Sequence, residues 1–250
     1  MKKLLLFFLI LGTISIHAQS QNWLLASEIY QGPDGILKWQ YSYTTQGQIS
    51  KVLYTQSKKL FYTESGFKTD NNNRVISFTR TYANGKTPTE TVAFEYNTKG
   101  ELSKFTTNII KDGKPKTTIL KEYEWATDSV IVYSGGKTNG YTKTIHLLNN
   151  HNDITKVKFL DMKNTETSDA FVFAKYDNNP NPYTLRGNYP DDDINAAHNK
   201  TTFFMSRNAT ATYTYNKNGL PVTSKINFYF PETKQTITHQ ITYSYLPLKP

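Results

Sequence analysis

The stretch "FEYNTKGELSKF", Phe94 to Phe105, runs aromatic, polar, aromatic, then a short polar turn ending in glycine, then alternation again. Nearly the same phrase recurs along the chain. Aligning "YTTQGQISKV" (43–52), "TDNNNRVISF" (69–78), "YNTKGELSKF" (96–105) and "LNNHNDITKV" (148–157) gives one pattern without gaps, and "YNKNGLPVTSKI" (215–226) repeats it with a slip of one position. The fifth position of the pattern is Gly47, Asn73, Gly100, Asn152 and Gly219. Glycine and asparagine enter the left-handed backbone region at the least cost. This position is therefore predicted to close a turn between two strands.

Between these turns lies a second set, "ANGK" (83–86), "KDGK" (111–114) and "SGGK" (134–137), with "ETKQ" (232–235) as a weaker relative. Asn-Gly, Asp-Gly and Gly-Gly flanked by alternating residues mark hairpins, because their turns match strand twist. The two turn classes alternate, which describes an up-and-down meander. The strands agree: Trp39, Tyr41 and Tyr43 share one face, with Lys38, Gln40 and Ser42 on the other. Ile237, His239, Ile241, Tyr243 and Tyr245 likewise oppose Thr236, Thr238, Gln240, Thr242 and Ser244. Such period-two alternation is what an antiparallel sheet with one wet face requires. The reading is all-β, with about fourteen strands from near Glu28 to Tyr245. Only residues 178–207 break the rhythm, and they read as one long loop with a possible short helix after Asp191.

At the N-terminus, "MKKLLLFFLILGTISIHAQS" has two lysines, an apolar run and a small residue at Ala18, the pattern of a secretory signal peptide over 1–18. Residues 19–250 then form a single β-meander domain. Without Lys2 and Lys3, 27 basic residues face 20 acidic ones, and the lysines are dispersed among strand positions. A nucleic-acid surface would gather them on one face, so no nucleic-acid partner is expected. The chain has no cysteine, hence no disulfide framework and no lipoprotein-type anchor. The expected location is the periplasm or the cell exterior.

The "YNxxG" turns, "KYDNNPNPY" (175–183), the segment 201–221 and the closing "ITYSY" (241–245) resemble a family of secreted bacterial proteins of unknown function with a porin-like fold. The turn phrase is also similar to the YD repeats of Rhs-type proteins. The resemblance implies a large antiparallel barrel or strongly curled sheet, and it implies no activity or functional residues.

No nucleophile elbow, phosphate-binding loop or dinucleotide motif is present, and the histidines lack metal-ligand spacing. No cofactor and no catalytic residue is expected. Eighteen Tyr, 14 Phe and 3 Trp supply rings that fill a barrel or stack on a ligand. The candidate ligand contacts are Trp39 and Trp125 with Asp191, Asp192, Asp193 and His198 from the long loop. The expected role is non-enzymatic: binding a glycan or another cell-envelope component, or acting as an envelope scaffold. The alternatives are an outer-membrane β-barrel pore and a glycan hydrolase. Lysine and tyrosine in mid-strand on the more apolar face, as at Lys121 and Tyr41, speak against a lipid-facing wall.

Overall fold

The computed structural model describes residues 23–33, 35–112, 114–138, 140, 142–190, 196–204 and 208–248. The expected signal peptide lies outside them. Among the described residues the chain forms β1 (Trp23–Gly32), β2 (Gly35–Tyr43), β3 (Ile49–Gln56), β4 (Lys59–Thr69), β5 (Val75–Tyr82), β6 (Glu90–Tyr96), β7 (Leu102–Lys111) and β8 (Lys114–Trp125). It continues with β9 (Ser129–Ser134), β10 (Thr142–Leu148), β11 (Ile154–Asp161), β12 (Glu166–Pro180), β13 (His198–Phe204), β14 (Asn208–Tyr215), β15 (Pro221–Phe230) and β16 (Gln235–Pro247). Each strand pairs antiparallel with its chain neighbours, and β1 pairs with β16 to close a barrel. The strand number is sixteen rather than about fourteen. The first strand starts at Trp23, ahead of Glu28, and β13 lies inside the stretch read as one loop.

The repeated phrase is one turn built the same way each time. Between β6 and β7, Asn97 N–H donates to Glu101 O (2.9 Å) and Gly100 N–H to Asn97 O (3.0 Å). The Asn97 side-chain oxygen accepts from the backbone N–H of Lys99 (2.9 Å) and Glu101 (3.0 Å). Asp70, Asn149 and Asn216 make the same pair of side-chain bonds. The fifth position is left-handed throughout, with φ of +76° at Gly47, +60° at Asn73, +86° at Gly100, +62° at Asn152 and +73° at Gly219. A strand register shift adjoins each of these turns, as at Glu95/Tyr96 and Leu147/Leu148, the signature of a three-residue hairpin with a bulge.

An aromatic near the end of a strand has its own task. Tyr43 OH donates to Leu25 O (2.7 Å), Tyr96 OH to Val75 O (2.8 Å), Trp125 Nε1 to Leu102 O (2.7 Å) and Tyr245 OH to Pro221 O (2.7 Å). Tyr176 OH reaches Ile154 O in the same way. Each bond ties an even-numbered strand to the start of the strand before it. Tyr43 and Tyr96, which lead two of the five repeated phrases, join this staple to the turn.

The alternation sorts the wall. Val92 and Phe94 of β6, Ala209 and Ala211 of β14, and Ile241 and Tyr243 of β16 are buried. Their neighbours Thr91, Glu95, Thr210, Thr212, Thr242 and Ser244 are exposed. At these positions apolar side chains are buried and polar ones exposed; elsewhere Leu60, Phe61, Ile110 and Ile119 are exposed and Glu28 and Glu64 are buried. Eight strands make a barrel whose interior side chains just fill it, whereas sixteen leave a channel. Filling this lumen requires more than the wall.

Candidate functional site

The connection between β12 and β13 supplies part of that filling. A 3₁₀ turn at Pro182–Leu185 is capped by Asn181, whose side-chain oxygen accepts from Tyr183 N–H. Pro182 and Leu185 are buried, and Leu185 belongs to the main apolar core. Tyr183 OH donates to Glu28 Oε1 (2.7 Å) on β1, and Tyr189 OH to Glu64 Oε2 (2.7 Å) on β4. The Arg186 guanidinium lies between the two rings, 4.9 Å from the Tyr183 centroid and 5.2 Å from that of Tyr189. Tyr189 also packs against Tyr41, Phe67 and Phe78. Outside the lumen, Asn188 grips two turns, accepting from Ile49 N–H (2.9 Å) and donating to Asn73 O (2.8 Å).

Glu64 is completely buried and is held by Arg80 through Nε (3.0 Å) and Nη2 (2.8 Å). Burial raises its carboxyl pKa, while Arg80 and the Tyr189 hydroxyl pull it down. Burial, followed by the neighbouring carboxylate, pushes the hydroxyls of Tyr183 and Tyr189 well above the usual phenol range. Both tyrosines thus act as neutral donors to buried carboxylates. These contacts make the connection a plug fixed to the barrel wall.

The plug does not reach the whole lumen. Beside β8 to β16 a cavity of about 560 Å³ remains, floored by Pro182 and Tyr183 of the plug. Its lining is largely apolar, including Val132, Val157, Phe159, Phe173, Phe203 and Phe228. Three basic side chains interrupt it: Lys121 on β8, His146 on β10 and Lys200 on β13. His146 Nε2 lies 3.1 Å from Thr144 Oγ1, and burial, then Lys200 and Lys121, lower its pKa to about 4. This size and composition match pockets that take small organic ligands, mostly apolar with a few converging polar groups. A second recess of about 770 Å³ at the plug's other side is lined by Glu101, Trp125, Arg186 and Tyr189, and it is the more polar of the two.

Of the residues proposed from sequence, Trp39, Trp125 and His198 lie among the described ones, on β2, β8 and β13. Trp39 stands on β2 in an aromatic cluster, its ring 4.8 Å from Tyr54, which in turn is 4.8 Å from Tyr62. Trp125 borders the polar recess, but its indole N–H is spent on the staple to Leu102 O. His198 Nδ1 lies 2.9 Å from Asp153 Oδ2, and His198 N–H donates to Asp153 Oδ1 (2.9 Å). Asp153 is buried at the β10–β11 turn, so this pair anchors the end of the plug connection. Asp191, Asp192 and Asp193 lie outside the described residues. Among the described residues no cluster of three or more potential metal ligands occurs. The cavity cations escaped the sequence reading, although alternation places His146 inward with Thr144 and Leu148.

No protein-family model and no curated protein matches this chain. Among solved structures it is similar to a porin-like protein from Bacteroides uniformis ATCC 8492, with 13% identity and a TM-score of 0.45, over 89% of this chain and 98% of that one. A porin-like protein from Bacteroides vulgatus ATCC 8482 matches at 10% identity and TM-score 0.43, over 90% and 99% of the two chains. The Photorhabdus luminescens Tc holotoxin pore matches at 12% identity and TM-score 0.30, over 81% of this chain and 8% of that one. The class that the topology itself defines is a closed, antiparallel β-barrel, of sixteen strands among the described residues. The resemblance to a YD-repeat family or to a domain family of unknown function gains no matching family model.

Proposed function

We propose that this protein is an exported, non-enzymatic binding protein that takes a small, mainly apolar cell-envelope molecule into its lumen. The observation that carries the reading is the coexistence of a mostly polar exposed face with a largely apolar cavity of about 560 Å³ beside the plug. An outer-membrane pore has the opposite polarity, with an apolar band outside and a polar lumen. Here Gln40, Ser42, Thr91, Lys225 and Thr242 stand exposed on the outside, opposite buried rings and aliphatics. A glycan, rich in hydroxyls, suits this lining less well than a hydrocarbon or aryl body, because each unpaired polar group buried there costs free energy.

The test uses the protein without detergent and N-phenyl-1-naphthylamine, a neutral apolar fluorophore. One saturable site per chain is expected. Ile226→Trp, which fills the cavity from β15, should weaken binding about tenfold or more while the β circular-dichroism signal persists, since each buried CH₂ lost is worth ~0.8 kcal/mol. Folding only in detergent, or binding untouched by Ile226→Trp, would overturn the reading and favour the pore.

A further inference from the structure

The turns marked by "ANGK" (83–86) and "KDGK" (111–114) line neither the cavity nor the polar recess. With the β3–β4 turn they lie side by side at one end of the wall, because β3 to β8 pair in chain order. Lysines that are scattered in the sequence meet there: Lys58, Lys59, Lys86, Lys111, Lys114 and Lys116, all exposed. Among the described residues of 57–59, 83–89 and 111–116, Asp112 is the single acidic side chain. Glu90, at the start of β6, is turned to Arg80 (3.2 Å) and Tyr82 (3.1 Å). At the other end of the same strands charge is balanced, with Asp70 paired to Arg74 at 2.6 Å and Lys99 two residues from Glu101. The positive end also exposes large apolar side chains. Ile110 is 66% exposed beside Lys111, and Leu60 and Phe61 follow Lys59 at 46% and 45%. A register shift between β3 and β4 at Tyr54/Thr55 seats Phe61 against the rings of Tyr54 (5.6 Å) and Tyr82 (5.9 Å), so its position is fixed. Apolar residues exposed singly need no explanation, but a group of them among cations marks an interaction surface.

We propose that this end of the β3–β8 sector docks on an anionic lipid bilayer, its ammonium groups among the headgroup phosphates and Leu60, Phe61 and Ile110 in the interfacial layer. The inference is independent of the lumenal reading. Charge complementarity gives the sign of the partner, since each lysine within a Debye length of an anionic membrane adds to binding. The apolar residues choose among anionic partners. A dissolved acidic polymer offers Ile110 nothing to enter, whereas the boundary between headgroups and acyl chains takes apolar side chains and the cations beside them together. Ser65, Lys68, Thr91 and Glu95, farther along β4 and β6, are exposed, which suits contact with the surface and not a span.

Co-sedimentation of the exported chain, residues 19–250, with vesicles of phosphatidylcholine alone or mixed equally with phosphatidylglycerol tests this without detergent. In about 0.1 M salt the anionic vesicles should bind about a hundredfold more tightly than the neutral ones, and about 1 M salt should release the protein. Lys111→Gln, Lys114→Gln and Lys116→Gln combined should weaken anionic binding about a hundredfold, at roughly fivefold per lysine. Ile110→Gln should weaken it about fivefold. Lys99→Gln with Lys217→Gln, in turns at the opposite end, should leave it within about twofold. All the substituted side chains are exposed, so none of these variants disturbs the fold. Equal binding to the two vesicles, retention in about 1 M salt, or a triple variant that binds like the unaltered protein would overturn the docking. So would an opposite-end variant that loses as much as the triple variant. Tight binding to dextran sulfate, with Ile110→Gln leaving vesicle binding unchanged, would overturn it in favour of an acidic polymer.

Discussion

The lumen beside β2 to β6 and the lumen beside β9 to β15 are walled by the same alternation but filled differently. In the first, Tyr189 and Leu185 of the plug enter among Tyr41, Phe78 and Val52 in one packed core. In the second, a smaller cluster around Ile154, Phe173 and Phe203 borders open space. Charge is divided along with packing. The buried carboxylates, Glu28 and Glu64, receive plug tyrosines, whereas Lys121 and Lys200 face the cavity. The acidic positions hold the plug, and the basic ones line the cavity beside it.

Breaking the packed side should produce the largest loss. Glu64→Ala removes two of the Arg80 bonds, leaving the one to Glu90 (3.2 Å), and removes the acceptor of Tyr189; removal of one partner from a buried pair costs about 3–5 kcal/mol. Urea denaturation should register this as a lower midpoint, and Tyr189→Phe should lose only about 1–3 kcal/mol. A Glu64→Ala midpoint equal to that of the unaltered protein would mean the plug is not fixed as described.

Truncating one ring on each side compares the two fillings directly. Phe78→Ala should fall in the ~3–5 kcal/mol range of aromatic truncations, since close-packed neighbours relax only partly. Phe173→Ala should fall below that range, because its ring already borders space. Equal losses would mean that the cavity wall is as tightly packed as the plugged side.

The pH dependence of stability isolates the cavity side. His146 has a folded-state pKa of about 4, below its ordinary value near 6.5. Between those values the unfolded chain takes up a proton and the folded chain does not, so stability is full above about pH 6.5 and falls as pH drops towards 4. The loss amounts to at most about 3–4 kcal/mol. Glu64, with its carboxyl raised by burial, works in the opposite direction, so the informative quantity is the difference from His146→Phe. That variant should flatten the fall across this window. An unchanged slope would place the titrating group elsewhere.

Much of the wall was legible because strand pairing obeys local rules. Asn97 and Gly100 announce a turn from their own chemistry, and the Tyr96 staple needs only the preceding strand. The turn at Asp161–Thr165, with Asn164 at φ +73°, uses the same bonds but passed unread. So did the turn at Ser57 and Lys58, which reaches φ of +48° and +67° with no glycine. The site was less legible, because a plug fills a lumen according to the distance across it, which no local pattern encodes. Tyr183, Arg186 and Tyr189 sit in a Pro- and Asn-rich segment that reads as a long connection, functional or plugging an opening, without showing which side chains enter the lumen. Trp39 stands in a cluster of rings on the wall and Trp125 borders the polar recess.

The smallest effect separates a turn from the plug. Gly100 and Gly187 both have positive φ, +86° and +62°, so an alanine costs about 1–2 kcal/mol of backbone strain at either. Their surroundings differ. A Cβ on Gly100 would meet the Arg74 Nη1 atom at 3.1 Å, the far end of a side chain that can swing aside. A Cβ on Gly187 would meet Gly47 O at 2.7 Å, a backbone atom of the β2–β3 turn. The plug must then shift away from that turn, loosening the Asn188 bond to Ile49 N–H. Gly187→Ala should therefore destabilise more than Gly100→Ala in the same thermal melt, and it alone should speed hydrogen exchange at Ile49. Equal melts with unchanged exchange at Ile49 would show that the plug rests on its buried tyrosines and not on this close approach.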